Sequence, residues 1–209
     1  MVEQRSISMK NVLRQLNELE KLSSSMRLAA EKWNEPWQTL ITTILSARTR
    51  DEKTIPIANE LFTRYSEVKN LANAKLRNVQ KIIKQINFYK TKSKNIINCA
   101  KILVQSYDGR PPIDFDKLIE LPGVGRKTAN VFLSEMGKDA VGVDTHVSYI
   151  SQKLGWTKNK KPERIEEDLK KLFPKNYWKE INPILVRFGK TWTSKRKKNE
   201  ILERIKEII

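Results

Sequence analysis

Apolar residues recur at helical spacing along most of the chain, and the alternation typical of β-strands is almost absent. The first such stripe contains Val12, Leu13, Leu16, Leu19 and Leu22. It predicts an amphipathic helix with one buried face. Residues 37–47, which follow Pro36, are apolar nearly all round. This second pattern predicts a helix buried by neighbours on several sides, and we interpret it as the central core helix.

Capping residues and periodicity predict further helices. Asp51 is the expected N-cap of a helix that runs toward Arg64, and Asp114 that of a short helix through Glu120. The other predicted helices lie at 75–86, 92–107, 126–136, 144–154, after Pro162, and at 177–188 and 199–208. The chain is therefore predicted to be all-α.

We expect two helical lobes with a cleft between them. A six-helix domain is predicted over residues 32–139, and a second lobe is predicted from residues 1–31 together with 140–209. No apolar run approaches the roughly 18 residues of a membrane-spanning helix, and the first ten residues lack the apolar stretch of a signal peptide. We therefore expect no membrane partner and a cytoplasmic location.

The charge balance narrows the class of partner. The chain of 209 residues has 41 Lys and Arg against 24 Asp and Glu, a formal net charge of +17. This excess favours a polyanion as the partner, although a solvated lysine-rich surface would have the same composition. Cys99 is the only cysteine, which excludes an internal disulfide, a cysteine zinc site and a four-cysteine iron–sulfur cluster.

The sharpest motif is the segment LPGVGRKTA, residues 121–129. Pro122 ends one helix, and Gly123 and Gly125 permit a tight turn before the next helix starts. Main-chain N–H groups and the positive end of the helix dipole then point to one place, where a phosphate oxygen fits. Such a grip contacts a nucleic-acid backbone without reading bases. The alternative is a plain helix–turn–helix corner.

This hairpin, followed by VDTH at residues 143–146, resembles the helix–hairpin–helix DNA glycosylase superfamily, specifically its endonuclease III branch. The segments LSARTRD (45–51) and NFYKTKSKNII (87–97) are also similar to that branch, and the resemblance extends from about Trp37 through Phe188. It implies a monomeric base-excision-repair glycosylase with AP lyase activity that removes oxidised pyrimidines from double-stranded DNA. DNA is then expected across the cleft, and the location would be nuclear in a eukaryote.

The resemblance assigns the catalytic roles to Lys127 and Asp144, which are expected to face each other. A lysine near a helix N-terminus and other cations is favoured in its neutral, nucleophilic form. An aspartate can stabilise the positive charge that develops as the base leaves. The alternatives are a surface lysine that contacts phosphate and an aspartate that only caps a helix.

The resemblance also implies a set of DNA contacts. Arg48 takes the position of the polar residue that fills the gap left by the flipped base, and Phe88 that of the apolar wedge in the opposite strand. The alternatives are an ordinary surface cation and a residue buried in a helix corner. The remaining expected contacts are Gly123, Val124, Gly125, Arg126 and Thr128 in the hairpin and Lys195 and Arg196 in the basic run 195–198.

The chain departs from the family where most relatives have four cysteines that bind a [4Fe–4S] cluster. It reads Thr191-Trp192-Thr193-Ser194 there, so we expect no cluster, no metal site and no cofactor; a monovalent cation at the hairpin stays open. Trp192, Ile201 and Leu202 are expected to pack the space. His146 is expected to serve local packing or hydrogen bonding near the site and not to bind a metal.

Thr42 replaces the catalytic glutamate of adenine-mismatch glycosylases, which favours damaged pyrimidines as the substrate. Specificity for 8-oxoguanine, uracil or a mismatch is the first alternative. A non-catalytic DNA-binding module is the second.

Overall fold

The computed structural model describes residues 8–208, which form twelve α-helices, one short 3₁₀ turn and no strand. The helices are α1 (Met9–Lys21), α2 (Pro36–Ser46), α3 (Asp51–Arg64), α4 (Val68–Ala72), α5 (Leu76–Ile82), α6 (Tyr89–Ser106), α7 (Phe115–Ile119), α8 (Arg126–Glu135), α9 (Thr145–Lys153), α10 (Pro162–Leu172), α11 (Trp178–Thr191) and α12 (Lys195–Lys206). The all-α prediction is confirmed.

The chain divides into two compact units. One is residues 27–136, and the other consists of 8–26 and 137–208 within the described part. The first therefore begins before the predicted residue 32. Arg27 accounts for this start, because its guanidinium lies 4.5 Å from the ring centroid of Trp33 and Trp33 stacks edge-on against Phe62 of α3.

The unit 27–136 is built around α2. Pro36 is its first residue, and Glu35 and Gln38 form a capping box. Leu40 and Leu45 of this helix are fully buried, and α2 packs against α3, α6 and α8. The apolar run at 37–47 thus forms the predicted core helix. The unit contains seven helices, α2–α8, one more than the six that were predicted. The additional helix is the short α4.

Several predicted helix ends are corrected. Asp51 is the first residue of α3, and Arg50 occupies the N-cap position. Helix α6 begins at Tyr89, before the predicted Lys92, and α12 begins at Lys195, before the predicted Asn199. Both starts lie in charged segments whose polar residues hide the apolar period. The cap at Asp114 is as predicted, and Asp144, for which capping was the alternative role, also caps its helix: each carboxylate accepts a hydrogen bond from a main-chain N–H three residues later.

The second unit has its own apolar core, contributed by α1, α9, α10, α11 and α12. Val12, Leu16 and Leu19 of the predicted stripe on α1 are buried in this core, which also contains Phe188 of α11. None of the helices within residues 8–208 combines the length and apolar character that a bilayer span requires.

Candidate active site

The predicted hairpin is present in the unit 27–136. It consists of α7, the turn 120–125 and α8, and the two helices pack against each other. Leu121 and Val124 are buried in the turn, where the Val124 N–H donates to the Leu121 carbonyl at 3.0 Å. The first main-chain bond of α8 runs from the Ala129 N–H to the Gly125 carbonyl at 2.9 Å. The turn is therefore anchored in the core and leads directly into a helix N-terminus.

The two glycines of the turn serve different purposes. Gly123 has φ +84°, and a Cβ there would lie 3.0 Å from Asn95 Cβ and 3.1 Å from Ile44 Cγ2. The fold itself thus requires glycine at this position. Gly125 has φ −98°, and a Cβ there would meet no atom within 4 Å. Nothing inside the described structure requires glycine at 125, and its Cα faces open space.

The side chains of the first turn of α8 point in different directions. Arg126 is exposed and its guanidinium lies 5.0 Å from the ring centroid of Phe115 on α7, within the range of a cation–π contact. Lys127 is half-buried, and Thr128 is buried. The Thr128 side chain is therefore turned into the unit, which leaves the main chain as the part of this residue that a backbone phosphate can reach.

Asp144 lies at the start of α9 in the other unit. Its Oδ1 accepts a hydrogen bond from the Val147 N–H at 2.9 Å, so the carboxylate caps the helix. Within the described part of the chain, Oδ2 makes no hydrogen bond. Capping therefore fixes the orientation of the carboxylate with one oxygen and leaves the other available to a ligand.

Arg48 and Phe88 stand at the tips of two neighbouring loops in the unit 27–136. The Arg48 guanidinium lies 5.7 Å from the ring centroid of Phe88, and the phenyl ring is 61% exposed. Burial of Phe88 in a helix corner, the alternative reading of the sequence, is wrong. Both residues have positive φ, 56° and 61°, a left-handed conformation that costs a bulky residue about 1–3 kcal/mol. Contacts with surrounding residues must therefore stabilise Arg48 and Phe88 in this conformation.

Those contacts come from Asn87 and Lys92. The Asn87 side-chain amide donates to the Arg48 carbonyl at 2.5 Å, and the Asn87 N–H donates to Thr49 Oγ1 at 3.2 Å. The Lys92 ammonium donates to the carbonyls of Leu45 and Ala47 at 2.7 and 2.5 Å. Lys92 is 7% exposed, and burial lowers its pKa from 10.5 to about 8.

Beside these loops lies an open cavity of about 910 Å³. Its lining includes Arg48, Thr49, Arg50, Gln85 and Asn87. The exposed tips therefore border an open cavity that is lined by both cationic and amide groups.

The C-terminal segment is closed by contacts within the protein. The Trp192 indole N–H donates to the Leu22 carbonyl at 2.9 Å, and its ring packs on the core that includes Ile201 and Leu202. This packing agrees with the arrangement expected in place of a cluster. Cys99 is buried in α6 of the other unit, and burial raises its pKa to about 12. The donor set of this chain does not fit a four-cysteine cluster.

The basic run 195–198 is not uniform. Lys195 and Arg196 are exposed, and Arg196 Nε lies 3.8 Å from Glu200 Oε1. The Lys198 ammonium is half-buried and donates to the Gly189 carbonyl at 2.9 Å, and burial lowers its pKa. Lys195 and Lys198 also line a pocket of about 250 Å³. Thr145 and His146, which follow Asp144, line it too. Lys198 thus has a structural role, and Lys195 is presented to solvent.

Two further observations concern the predicted site: the burial of Thr42 and the set of possible metal ligands. Thr42 is fully buried, and its hydroxyl has no hydrogen-bond partner among the described residues. Residues 8–208 contain no group of three or more His, Cys, Asp and Glu side chains that could hold a metal ion.

Sequence reasoning missed Asn87 and Lys92. Their segment was singled out, but lysines are seldom buried, and nothing in the pattern indicates that this one is.

Comparisons with known proteins identify the family. The family model described as "HhH-GPD superfamily base excision DNA repair protein" matches residues 41–175. Endonuclease III of Thermotoga maritima is 45% identical over 160 residues, which cover 76% of this chain and 75% of the relative. Endonuclease III of Bacillus subtilis is 35% identical over 159 residues, covering 75% of this chain and 73% of the relative.

Solved structures agree with the sequence comparisons. The structure of a trapped endonuclease III–DNA covalent intermediate matches with a TM-score of 0.80 and 30% identity, covering 88% of this chain and 87% of that one. A thermostable thymine-DNA glycosylase shares the fold, with a TM-score of 0.66 and 22% identity, covering 96% of this chain and 87% of that one. The chain belongs to the HhH-GPD superfamily of base excision DNA repair proteins, and the two relatives named above from the sequence comparison are endonucleases III.

Proposed function

We propose that this protein removes oxidised pyrimidines such as thymine glycol from double-stranded DNA and cuts the strand through a Schiff base on Lys127. The coarser activity follows from family membership: the chain is a base-excision-repair DNA glycosylase with AP lyase activity, and DNA is its partner. We further propose that it acts as a monomer on chromosomal DNA, in the cytoplasm or, in a eukaryote, in the nucleus.

The hairpin carries the proposal. Gly125 presents an open Cα at the start of α8, so a phosphate oxygen can approach its main chain and the helix N-terminus closely. Lys127 lies in the first turn of the same helix, next to that phosphate position. A grip that uses the main chain leaves the base sequence unread, which suits an enzyme that inspects any sequence for damage.

In the proposed reaction the neutral amine of Lys127 attacks C1′ of the damaged nucleotide. A bond forms between Nζ and C1′ while the N-glycosylic bond breaks, and the base leaves with the electron pair and takes up a proton. Ring opening gives a Schiff base between Lys127 and C1′. Loss of a proton from C2′ then drives cleavage of the C3′–O bond, and hydrolysis of the remaining Schiff base frees the lysine.

Asp144 is proposed to stabilise the positive charge that develops on the sugar as the base leaves. Its capping bond holds the carboxylate in one orientation and leaves Oδ2 available within the described structure. The helix cap and the catalytic role are therefore compatible, because they use different oxygen atoms of one group.

Arg48 and Phe88 are proposed to enter the duplex and to occupy the space that the flipped nucleotide leaves. The exposure of the phenyl ring and the closeness of the guanidinium support this role. Arg126 and Lys195 are exposed cations, and we propose that both contact DNA phosphates. The main chain of residues 123–125 and 128 is proposed to contact phosphates as well. Arg196, which lies near Glu200, is proposed to make a further phosphate contact.

A panel of duplexes tests the substrate. Each duplex carries thymine glycol, dihydrouracil, uracil, 8-oxoguanine or an abasic site, and Lys127→Ala is the matched control. We expect excision of the first two lesions, cutting at the abasic site, and neither reaction with the variant. Preferred excision of uracil or 8-oxoguanine would overturn the proposed specificity and favour another glycosylase of the same fold.

A further inference from the structure

We propose that Lys92 is a positioning residue that holds Arg48 and Phe88 in the conformation in which they enter DNA. This inference rests on the proposed role of Arg48 and Phe88. It concerns a buried side chain that the reaction itself does not use.

Lys92 contacts both loops at once. Its main-chain N–H donates to the Phe88 carbonyl at 3.0 Å, in the first turn of α6. Its ammonium reaches the other loop, where it donates to the carbonyls of Leu45 and Ala47 and lies 3.5 Å from Thr49 Oγ1. One residue therefore fixes the distance between the segment that ends in Arg48 and the segment that ends in Phe88.

The contacts also fix the backbone conformation of Arg48. The dihedral angles of a residue are set by the orientations of the two peptide units that flank it. Lys92 holds the carbonyl of Ala47, in the unit before Arg48, and Asn87 holds the carbonyl of Arg48, in the unit after it. Both flanking units are thus restrained, which explains how a bulky residue stays at φ 56°.

The chemistry of the site calls for an ammonium group. Three oxygen atoms face Nζ, and a protonated lysine has three N–H donors and no acceptor. An apolar side chain of similar length would remove the donor from the buried carbonyl of Leu45 and from the part-buried carbonyl of Ala47. Because Lys92 is buried, it acts on DNA only through the loops that it holds.

The test uses a duplex with 2-aminopurine opposite a tetrahydrofuran abasic analogue. This analogue has no base to remove, so the fluorescence reports insertion into the duplex and not chemistry. We expect binding of the wild type to unstack 2-aminopurine and raise its fluorescence. Lys92→Met should lose most of this increase. It should also excise a base-paired lesion roughly tenfold to a hundredfold more slowly than the wild type, as misplaced groups do.

Two further variants keep the test sharp. Lys101→Met removes an exposed lysine from the same helix and should retain the wild-type fluorescence and rates. Asn87→Ala removes the second restraint on Arg48 from an exposed position, and it should lower the fluorescence increase in the same direction as Lys92→Met. If Lys92→Met does not fold, Asn87→Ala carries the test.

Folded Lys92→Met or Asn87→Ala protein with the full fluorescence increase would overturn the inference. The inference about Lys92 and the proposed substrate specificity can fail independently of each other. A wild type that prefers another lesion but raises the fluorescence, while Lys92→Met does not, supports the role of Lys92. A wild type that leaves 2-aminopurine stacked would overturn both the insertion by Arg48 and Phe88 and the role of Lys92.

Discussion

The imidazole ring of His146 packs directly on Gly189, so that a Cβ at position 189 would collide with Nδ1 and lie 2.8 Å from Cγ. Gly189 belongs to α11, and His146 lies in the first turn of α9, two residues after Asp144. The glycine therefore allows the start of α9 to approach α11 closely. The position of the Asp144 carboxylate depends on this packing, because the carboxylate caps the same helical turn.

Gly189→Ala should therefore destabilise the protein and slow base excision. Overpacking of this kind costs about 1–3 kcal/mol of unfolding free energy. The double variant Gly189→Ala/His146→Ala removes the colliding ring and should regain much of the lost stability. Thermal or denaturant unfolding of the single and double variants measures the coupling. Equal instability of Gly189→Ala with and without His146 would contradict the collision.

The two glycines of the hairpin should respond differently to alanine. Gly123→Ala forces a Cβ against Asn95 and Ile44 at positive φ, and we expect a loss of roughly 1–3 kcal/mol of stability. Gly125→Ala should change stability by less than about 1 kcal/mol, because two effects oppose each other. Alanine lowers the entropy of the unfolded chain, which stabilises the fold, but it is a poorer N-cap residue than glycine. It should still weaken DNA binding, because the new methyl group occupies the approach of the phosphate. Unaltered affinity of folded Gly125→Ala would contradict the phosphate grip.

Phe88→Ala should separate insertion from chemistry. The ring is exposed, so its removal is expected to leave folding and affinity for undamaged duplex nearly unchanged. Excision of a base-paired thymine glycol should slow more than cutting at a preformed abasic site, where no base has to be displaced. Rates on the two substrates under single-turnover conditions measure this difference. Equal slowing on both would place Phe88 outside the insertion step.

The protonation of Lys92 should appear in the pH dependence. Burial lowers its pKa to about 8, so the side chain is mostly an ammonium at neutral pH and loses a proton as the pH rises through 8. The neutral amine has two N–H donors for three oxygens, which loosens the loops. The ratio of excision at a paired lesion to cutting at an abasic site should fall above pH 8 in the wild type. It should be flat in Lys92→Met.

Much of the fold follows from local patterns in the sequence. The cap at Asp114 and the buried run of α2 depend on neighbouring residues and on helical periodicity, and both are found as predicted. The hairpin is similarly local, because proline and two glycines set its turn. Helix α4 has only five residues, too few to establish a period.

The supporting contacts of the candidate site are not local. Lys92 donates a hydrogen bond to the carbonyl of Leu45, 47 positions earlier in the chain. Gly189 of α11 packs against His146 of α9. No spacing rule connects such partners. A buried lysine also contradicts the usual preference of its residue type, so only the folded chain reveals why a lysine is needed there.

Covalent trapping tests the central claim, that Lys127 is the nucleophile, most directly. Borohydride reduces a Schiff base to a stable amine, so incubation with abasic-site duplex should convert the wild type into a protein–DNA adduct whose modified residue, mapped by mass spectrometry, is Lys127. Asp144→Asn should bind the duplex but remove damaged bases slowly, and Lys127→Ala should form no adduct. No adduct with the wild type, or an undiminished adduct with Lys127→Ala, would contradict the account.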